Sequence, residues 1–302
     1  MTGVATLLRV VVVTYSPGEA LDAFLDSLPS AISHPYDVVL ADNGSTDGSV
    51  EAAAAREPGL VRIVRSGSNV GYGRAANAGA LAAGPTAPWL LVVNPDVVLA
   101  PGSLDELLAA GDRWPTAGAL GPLIRTPDGG LYPSARQLPS LGRGLGHALL
   151  GWWWPANPFT RTYRNELGNP VEGITGWLSG SALLLRRSAF ASVGGFDPSY
   201  FMYFEDVDLC RRLAQVGAPC VYVPSAVVEH TGGHATQRDP AVARAMSRAH
   251  HSSAYRFLSR QYPRRSQAPL RLALRLGLAV RHLLALLHPK VTEGATPTRR
   301  HD

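Results

Sequence analysis

The feature that most constrains the fold is an alternation, through the N-terminal third of the chain, of short β-branched runs with segments of helical spacing. Arg9–Thr14 (RVVVVT), Tyr36–Ala41 (YDVVLA), Val61–Val64 and Trp89–Val93 read as strands. Between them, Glu19–Ala31 sets Ala20, Phe24 and Leu28 on one helical face, a second helix runs through Val50, and a third spans Tyr72–Ala83. Each crossover of this length returns the chain to the same end of the sheet. The expectation is therefore an α/β fold, a mainly parallel central sheet with helices on both faces. Sheets of this kind bind ligands outside the carboxyl ends of their strands.

Those ends are polar here: Thr14-Tyr15-Ser16, Asp42-Asn43-Gly44-Ser45, Gly67-Ser68-Asn69 and Asn94-Pro95-Asp96. A single polar strand end is an ordinary turn, whereas four in succession outline a site. Asn43-Gly44 supplies a turn with positive φ. Pro95 holds Asn94 out of helical geometry, so that Asp96 can project from the sheet and hold Mg²⁺ or Mn²⁺ together with substrate phosphates. The plainer reading of Asp96 is an acid ahead of a helix starting near Pro101. Asn69–Ala76 contains a GxGxxA pattern that imitates a dinucleotide-binding fingerprint. That fingerprint follows the first strand of its unit, and here two strand–helix units precede it.

Further along, Glu205, Asp206 and Asp208 open a helix among Tyr200, Phe201, Tyr203 and Phe204. Acids suit a first helical turn through the macrodipole. Aromatic surroundings also raise a carboxylate toward the range of a general base. Glu205 and Asp208 share a face and Asp206 points elsewhere, so each of the three is a candidate. His230 and His234 are spaced HxxxH, but the Thr231-Gly232-Gly233 link is a poor helix, and His230 alone closing the metal site is more economical than a zinc pair.

The segment Leu138–Asn169, with Trp152-Trp153-Trp154-Pro155, shows no period and reads as a long excursion over the sheet. Regular structure resumes with a strand at Ser181–Leu185, a short helix, a turn at Gly194–Pro198, a helix at Glu205–Val216 and a strand at Pro219–Val223. The organisation expected is a main domain over 1–262, a basic amphipathic tail over 263–290 and a disordered end over 291–302.

Charge is unevenly placed. The 302-residue chain carries +5 overall, but the stretch from Arg260 to Asp302 holds +7 and the remainder −2. A nearly neutral body lacks the basic stripe of a nucleic-acid-binding domain. Leu270–Leu287 is the most apolar stretch, with Arg271, Arg275 and His282 on one helical face; it reads as an interfacial helix on an anionic membrane surface, or as a helix packed on the domain or on a second subunit of a homo-oligomer. The N-terminus lacks a basic n-region and a small-residue cleavage site and reads as a strand rather than a signal peptide. Cys210 and Cys220 form no CxxC, which argues against a disulfide framework and for a reducing compartment.

Taken in order, VVVVTYS, ADNGSTDGS, NVGYGRAAN, NPD, GWLSGSALLLRR, GGFDPSYFMYFEDVDLCRR and VVEHTGG resemble the family-2 inverting glycosyltransferases of GT-A fold, over residues 8–235. Within that family the NPD and FEDVDL variants are most similar to rhamnosyltransferases. The resemblance implies transfer of L-rhamnose from dTDP-L-rhamnose to a polyprenyl-diphosphate-linked N-acetylglucosamine, by a cytoplasmic enzyme peripheral to the inner face of the membrane. It implies that Thr14, Tyr15 and Asp42 hold the nucleoside and that Asn69, Gly73 and Arg74 border the donor pocket. Asp96 and His230 would hold the metal, Asp206 would be the base, and Trp177, Ser179, Gly180 and Ser181 would border sugar and acceptor. Two departures stand out: Asn94 replaces the first acid of the family's DxD, and Ser16 replaces a frequent Asn. Other nucleotide-sugar transferases (glucosyl or galactofuranosyl) and a non-catalytic nucleotide-sugar-binding adaptor are the competing readings.

Overall fold

A computed structural model describes residues 5–84, 86–139, 170–232 and 240–287. The chain divides into two compact units, Met1–Gly233 and His234–Asp302. This division precedes the sequence-based 262/263 boundary, because a helix over Pro240–Arg260 groups with the C-terminal helix.

The first unit is built on a ten-stranded mixed sheet. Strands β1 (Leu8–Thr14), β2 (Tyr36–Asp42), β3 (Val61–Arg65) and β4 (Trp89–Val93) are mutually parallel where they pair. They are joined through α1 (Ala20–Ala31), α2 (Ser49–Arg56) and α3 (Tyr72–Ala80). After β5 (Val97–Leu99) and α4 (Ser103–Arg113) come β6 (Ala119–Arg125), β7 (Leu131–Tyr132) and β8 (Ala135–Arg136). Then follow β9 (Gly173–Thr175), β10 (Trp177–Leu178) and β11 (Ala182–Arg186). Two further helices, α5 (Arg187–Ser192) and α6 (Glu205–Gln215), precede β12 (Cys220–His230). The large sheet is ordered β3-β2-β1-β4-β11-β6-β12-β5, with β7 beside β6 and β9 beside β12, and β8 and β10 form a separate two-stranded sheet.

All seven residues of β1 are buried, as a central strand covered on both faces requires. Its alternate side chains feed two cores. Leu8, Val10 and Val12 pack with Phe24, Leu28, Leu104 and Leu107 on one face, and Val11 and Val13 with Ala75, Phe196, Leu209 and Leu213 on the other. Three residues beyond the GxGxxA pattern, a Cβ on Gly79 would stand 2.5 Å from Val11 Cγ1, so this glycine lets α3 lie directly on the sheet.

Two elements differ from the sequence expectation. β6 carries Gly121-Pro122, which masks its strand pattern; Gly121 is required because a Cβ there would meet Leu178 Cδ2 at 2.7 Å. β12 continues past Val223 to His230 because a bulge between Val223 and Val227 absorbs Pro224. β11 runs antiparallel to both β4 and β6, which makes the sheet mixed rather than wholly parallel. Cys210 and Cys220 are buried free thiols.

In the second unit, α7 (Pro240–Arg260) and α8 (Ala268–Leu287) are joined by a 3-10 turn, Arg265–Gln267, and contact each other. Among the described residues no helix is long and apolar enough to cross a membrane. Trp152–Pro155, most of the 138–169 excursion, His234 and the 291–302 end lie outside the described residues.

Candidate active site

Register brings the polar strand ends together. Thr14 pairs with Asp42 across β1 and β2, Ala182 with Val93 across β11 and β4, and His230 with Val97 across β12 and β5. The last pairing sets His230 beside the residue that precedes β5, Asp96.

At the β1/β2 end, Asp42 is 3% exposed. Its Oδ1 accepts the Ser45 N–H at 2.9 Å and faces the Thr14 hydroxyl at 3.4 Å, while Arg65 stands 3.3 Å from Oδ2. Arg65 also pairs with Glu51 at 2.6 Å. Tyr15 is 55% exposed beside this carboxylate's strand end, available to a flat ring. Ser16 adopts φ 48°, and its backbone N–H donates to Ser45 Oγ at 2.9 Å while its hydroxyl accepts from the Thr46 N–H at 3.0 Å. The serine therefore stitches the first two strand ends together.

Asn43 and Asn69 form the next layer. Asn43 Nδ2 donates to Asn69 Oδ1 at 2.9 Å, and the N–H groups of Val70 and Gly71 donate to Asn43 Oδ1 and Asn69 Oδ1 at 2.8 and 3.1 Å. Two sequence-predicted donor residues take a different place. Gly73 is buried rather than on a pocket wall, and a Cβ there would meet Phe196 Cβ at 2.9 Å and Glu205 Cβ at 3.7 Å, so it is a packing glycine. Arg74 is exposed and donates from Nε to the Pro198 carbonyl at 2.8 Å, tying α3 to the loop before α6.

Asp96 Oδ1 lies 3.1 Å from His230 Nε2, and Asn94 Nδ2 lies 3.4 Å from the same nitrogen. Burial opposes ionisation of Asp96, but the His230 bond and charge and backbone N–H groups outweigh it and hold the carboxyl below its ordinary range. Among the described residues no group of three or more His, Cys, Asp or Glu is arranged for a metal. The Asp96 carboxylate fits the protein share of an Mg²⁺ or Mn²⁺ site that substrate phosphates would complete, and the His230 imidazole stands beside it.

The acid cluster separates into three environments. The chain enters α6 through Tyr203 and Phe204, both at φ 66°, a strained approach of the kind that concentrates at functional sites. Asp206 is only partly covered; Oδ2 accepts the Gly180 N–H at 2.9 Å and Oδ1 the Val207 N–H at 2.8 Å. Desolvation nonetheless raises its pKa, against those bonds and the nearby Arg136 charge. Glu205 is 7% exposed, its Oε2 has no hydrogen-bond partner among the described residues, and burial together with the Asp206 charge pushes it up to about 8. Asp208 is fully buried and engaged by Arg212 Nε at 2.6 Å and Arg211 at 3.6 Å, an arrangement that braces the helix and leaves it no path to a substrate.

Ser179, Gly180 and Ser181 face this cluster. Ser179 Oγ and Ser181 Oγ are 3.1 Å apart, and a Cβ on Gly180 would touch Asp206 Cβ at 3.3 Å. Trp177 is half-buried, with the Arg136 guanidinium 5.5 Å from its ring centre. Ser181 also joins the halves of the site, its carbonyl accepting the Asn94 N–H at 2.9 Å.

Tyr72, which no motif singles out, lies at the centre. Its hydroxyl donates to the Gly180 carbonyl at 2.7 Å, and burial, with the charges of Glu205, Asp206 and Asp96, drives its pKa well above 10.0. Arg65 and Arg136 were likewise invisible in sequence, since each matters only through a distant carboxylate.

The glycosyl transferase family 2 profile matches residues 9–194. The chain is 55% identical over 288 residues, 92% of each protein, to the N-acetylglucosaminyl-diphospho-decaprenol L-rhamnosyltransferase of Mycobacterium tuberculosis (strain CDC 1551 / Oshkosh). It is 30% identical over 174 residues to rhamnosyltransferase WbbL of Escherichia coli (strain K12), covering 57% of this chain and 62% of that protein. Its fold is similar to that of mannosyltransferase PcManGT from Pyrobaculum calidifontis in complex with GDP-Man and Mn²⁺ (TM-score 0.56, 18% identity, 97% of this chain and 77% of that one). It is also similar to GalNAc-T7 with UDP, GalNAc and Mn²⁺ (TM-score 0.57, 17% identity, 77% of this chain and 45% of that one). A sheet of GT-A type, with Asp42, the Asp96–His230 pair and the acid-headed helix at its strand ends, accords with these matches: the chain belongs to glycosyl transferase family 2.

Proposed function

We propose that this chain is an inverting rhamnosyltransferase. It moves L-rhamnose from dTDP-L-rhamnose to the N-acetylglucosamine of a polyprenyl-diphosphate-linked acceptor, on the cytoplasmic face of the cell membrane, in cell-wall linker synthesis. The similarity to a relative of that specificity over nearly its full length supports the substrates. The observation that carries the reaction is Asp206: a partly open carboxylate, fixed by two backbone N–H groups, beside the buried Glu205.

Asp42 accepts from a ring N–H of the pyrimidine, and Tyr15 offers a face to it. Asp96 and His230 would hold Mg²⁺ or Mn²⁺, whose charge offsets that developing on the departing diphosphate. Asp206 takes the proton from the acceptor hydroxyl as its oxygen bonds to the anomeric carbon, and the bond from that carbon to the diphosphate oxygen breaks on the opposite face, inverting the centre. A positioned base of this kind contributes about 10²–10⁴-fold in rate. Gly180, held by the Tyr72 hydroxyl, keeps the Asp206 carboxylate aimed.

The second unit places the enzyme on the lipid surface that carries its acceptor. Leu272, Leu276 and Val280, four residues apart on α8, are each more than half exposed. An interfacial helix needs such a stripe.

Release of nucleoside diphosphate from a panel of nucleotide sugars, with polyprenyl-diphosphate-linked N-acetylglucosamine as acceptor and with the divalent cation present or chelated, tests the reading. Selective, acceptor-dependent turnover of dTDP-L-rhamnose is the expected result. Selectivity for a glucosyl or galactofuranosyl donor would replace the substrate, and nucleotide binding without any turnover would favour an adaptor.

A further inference from the structure

The second unit holds a feature that the transfer reaction does not use. Between α7 and α8 lies a cleft of about 460 Å³, lined by Arg248, His251, Ser252 and Tyr255 from α7 and by Arg275 and Leu278 from α8. The four α7 positions fall at i, i+3, i+4 and i+7, a single helical face, so the cleft is a product of the helix pairing rather than of a loop. We propose that this cleft is a headgroup site for the phosphate of an anionic membrane phospholipid.

Charge is the first argument. Residues 240–287 contain nine arginines and neither aspartate nor glutamate. Arg248 and Arg275 approach the cleft from different helices, and among the described residues neither is in an ion pair. Two guanidinium groups facing one cleft without an acid repel each other, and a bound phosphate, which each can grip with two N–H groups, reverses the sign of that interaction. Arg271 serves as a contrast: its Nη1 donates to the carbonyls of Tyr262 and Arg264 at 2.6 and 2.8 Å, so it secures the turn between the helices and is not part of the site.

Donor chemistry is the second argument. Ser252 and Tyr255 bring hydroxyls, and His251, whose Nδ1 donates to the Ser247 carbonyl at 2.8 Å, brings a ring held in one orientation. Arg248, Arg275, Ser252 and Tyr255 can each donate a hydrogen bond, and no side chain in this lining is an acid. The apolar stripe of Leu272, Leu276 and Val280 on α8 decides for a lipid over free phosphate, because a soluble anion gives exposed leucines nothing to bury against.

This inference deepens the membrane reading given above, and the test separates the two. The full-length chain is sedimented with phosphatidylcholine vesicles, with or without phosphatidylglycerol, comparing R248Q/R275Q with R256Q/R265Q. The latter removes two arginines of the same unit outside the cleft. About 1 kcal/mol per arginine near the surface predicts a roughly 30-fold loss of partition onto anionic vesicles for any two of them; the outside pair is expected to lose no more than that, and the cleft pair to lose clearly more. R248K/R275K keeps the charge and surrenders the two-pronged grip, and is expected to lose an intermediate amount. Equal losses from the two Gln pairs, or none from the Lys pair, would show a diffuse basic field and overturn the cleft while leaving the membrane reading in place. Failure of the unaltered chain to prefer anionic vesicles would overturn both. Displacement from vesicles by inorganic phosphate at matched ionic strength would reassign the site to a soluble anion.

Discussion

Replacing Glu205 by glutamine should flatten the pH dependence of stability of the catalytic unit. The Glu205 carboxyl is 7% exposed, stands next to the Asp206 carboxylate and leaves Oε2 without a partner among the described residues. Burial first, and the Asp206 charge second, raise it from 4.5 to about 8. Between those values the folded chain holds a proton that the unfolded chain has released, so stability is greatest below the lower value and is lost as pH rises through the upper one. The slope is up to ~1.4 kcal/mol per pH unit, or ~5 kcal/mol across the interval. That is comparable to the whole stability of many domains. Urea unfolding over roughly pH 5 to 8, followed by tryptophan fluorescence with the buried Trp89 as a reporter, measures it. In Glu205→Gln the Glu205 contribution disappears and the curve flattens by about that slope, while the contribution of Asp206, whose carboxyl is also raised, remains. The slope is the readout, because the amide inherits an unpartnered position and its absolute stability carries that cost. Parallel curves for the two proteins would refute the assignment of the retained proton to Glu205.

Asp206→Asn should lower kcat by about 10²–10⁴-fold while nucleoside-diphosphate affinity is retained, and the acid limb of the wild-type pH–rate profile should lie above the ordinary carboxylate range because the Asp206 pKa is raised by desolvation. Unchanged kcat in that variant would place the base elsewhere. Asp42→Ala should weaken nucleotide binding by roughly 1.5–3 kcal/mol, the worth of a hydrogen bond to a charged group, as read by calorimetry with dTDP. Gly71→Ala should destabilise the unit and depress turnover together, because φ is +95° there and the added Cβ would stand 2.4 Å from the Phe201 carbonyl oxygen; a variant with wild-type melting temperature and turnover would contradict this.

The parallel half of the sheet was legible in sequence because its strands are continuous β-branched runs, buried on both faces, with polar ends that register aligns. β6 and the far end of β12 were not, since Gly121-Pro122 and Pro224 interrupt the pattern for reasons that lie elsewhere: close approach of Leu178 in one case and a bulge in the other. The division of labour among the three acids was half legible. Helical spacing puts Glu205 and Asp208 on one face, and Val207, Leu209, Cys210 and Leu213 are buried around that same helix. Which acid is neutral, which is ion-paired and which stays open depends on Arg211, Arg212 and Gly180, contacts that spacing cannot supply. Tyr72 escaped notice because its partner, Gly180, is 108 residues away.

The start of α3 and the loop before α6 touch through main chain. The Tyr72 N–H donates to the Phe201 carbonyl at 3.0 Å, and Gly71 has no Cβ because that carbonyl occupies its place. The loop before α3 and the segment that carries the proposed base are therefore one mechanical part, built from two stretches of sequence far apart. The proposed donor pocket is consequently not a separable cassette. A chimera that imports residues 67–74 from a relative with another sugar preference will carry the change through only if residues 200–206 come from the same parent, and combined substitutions across the two segments should depart from additivity.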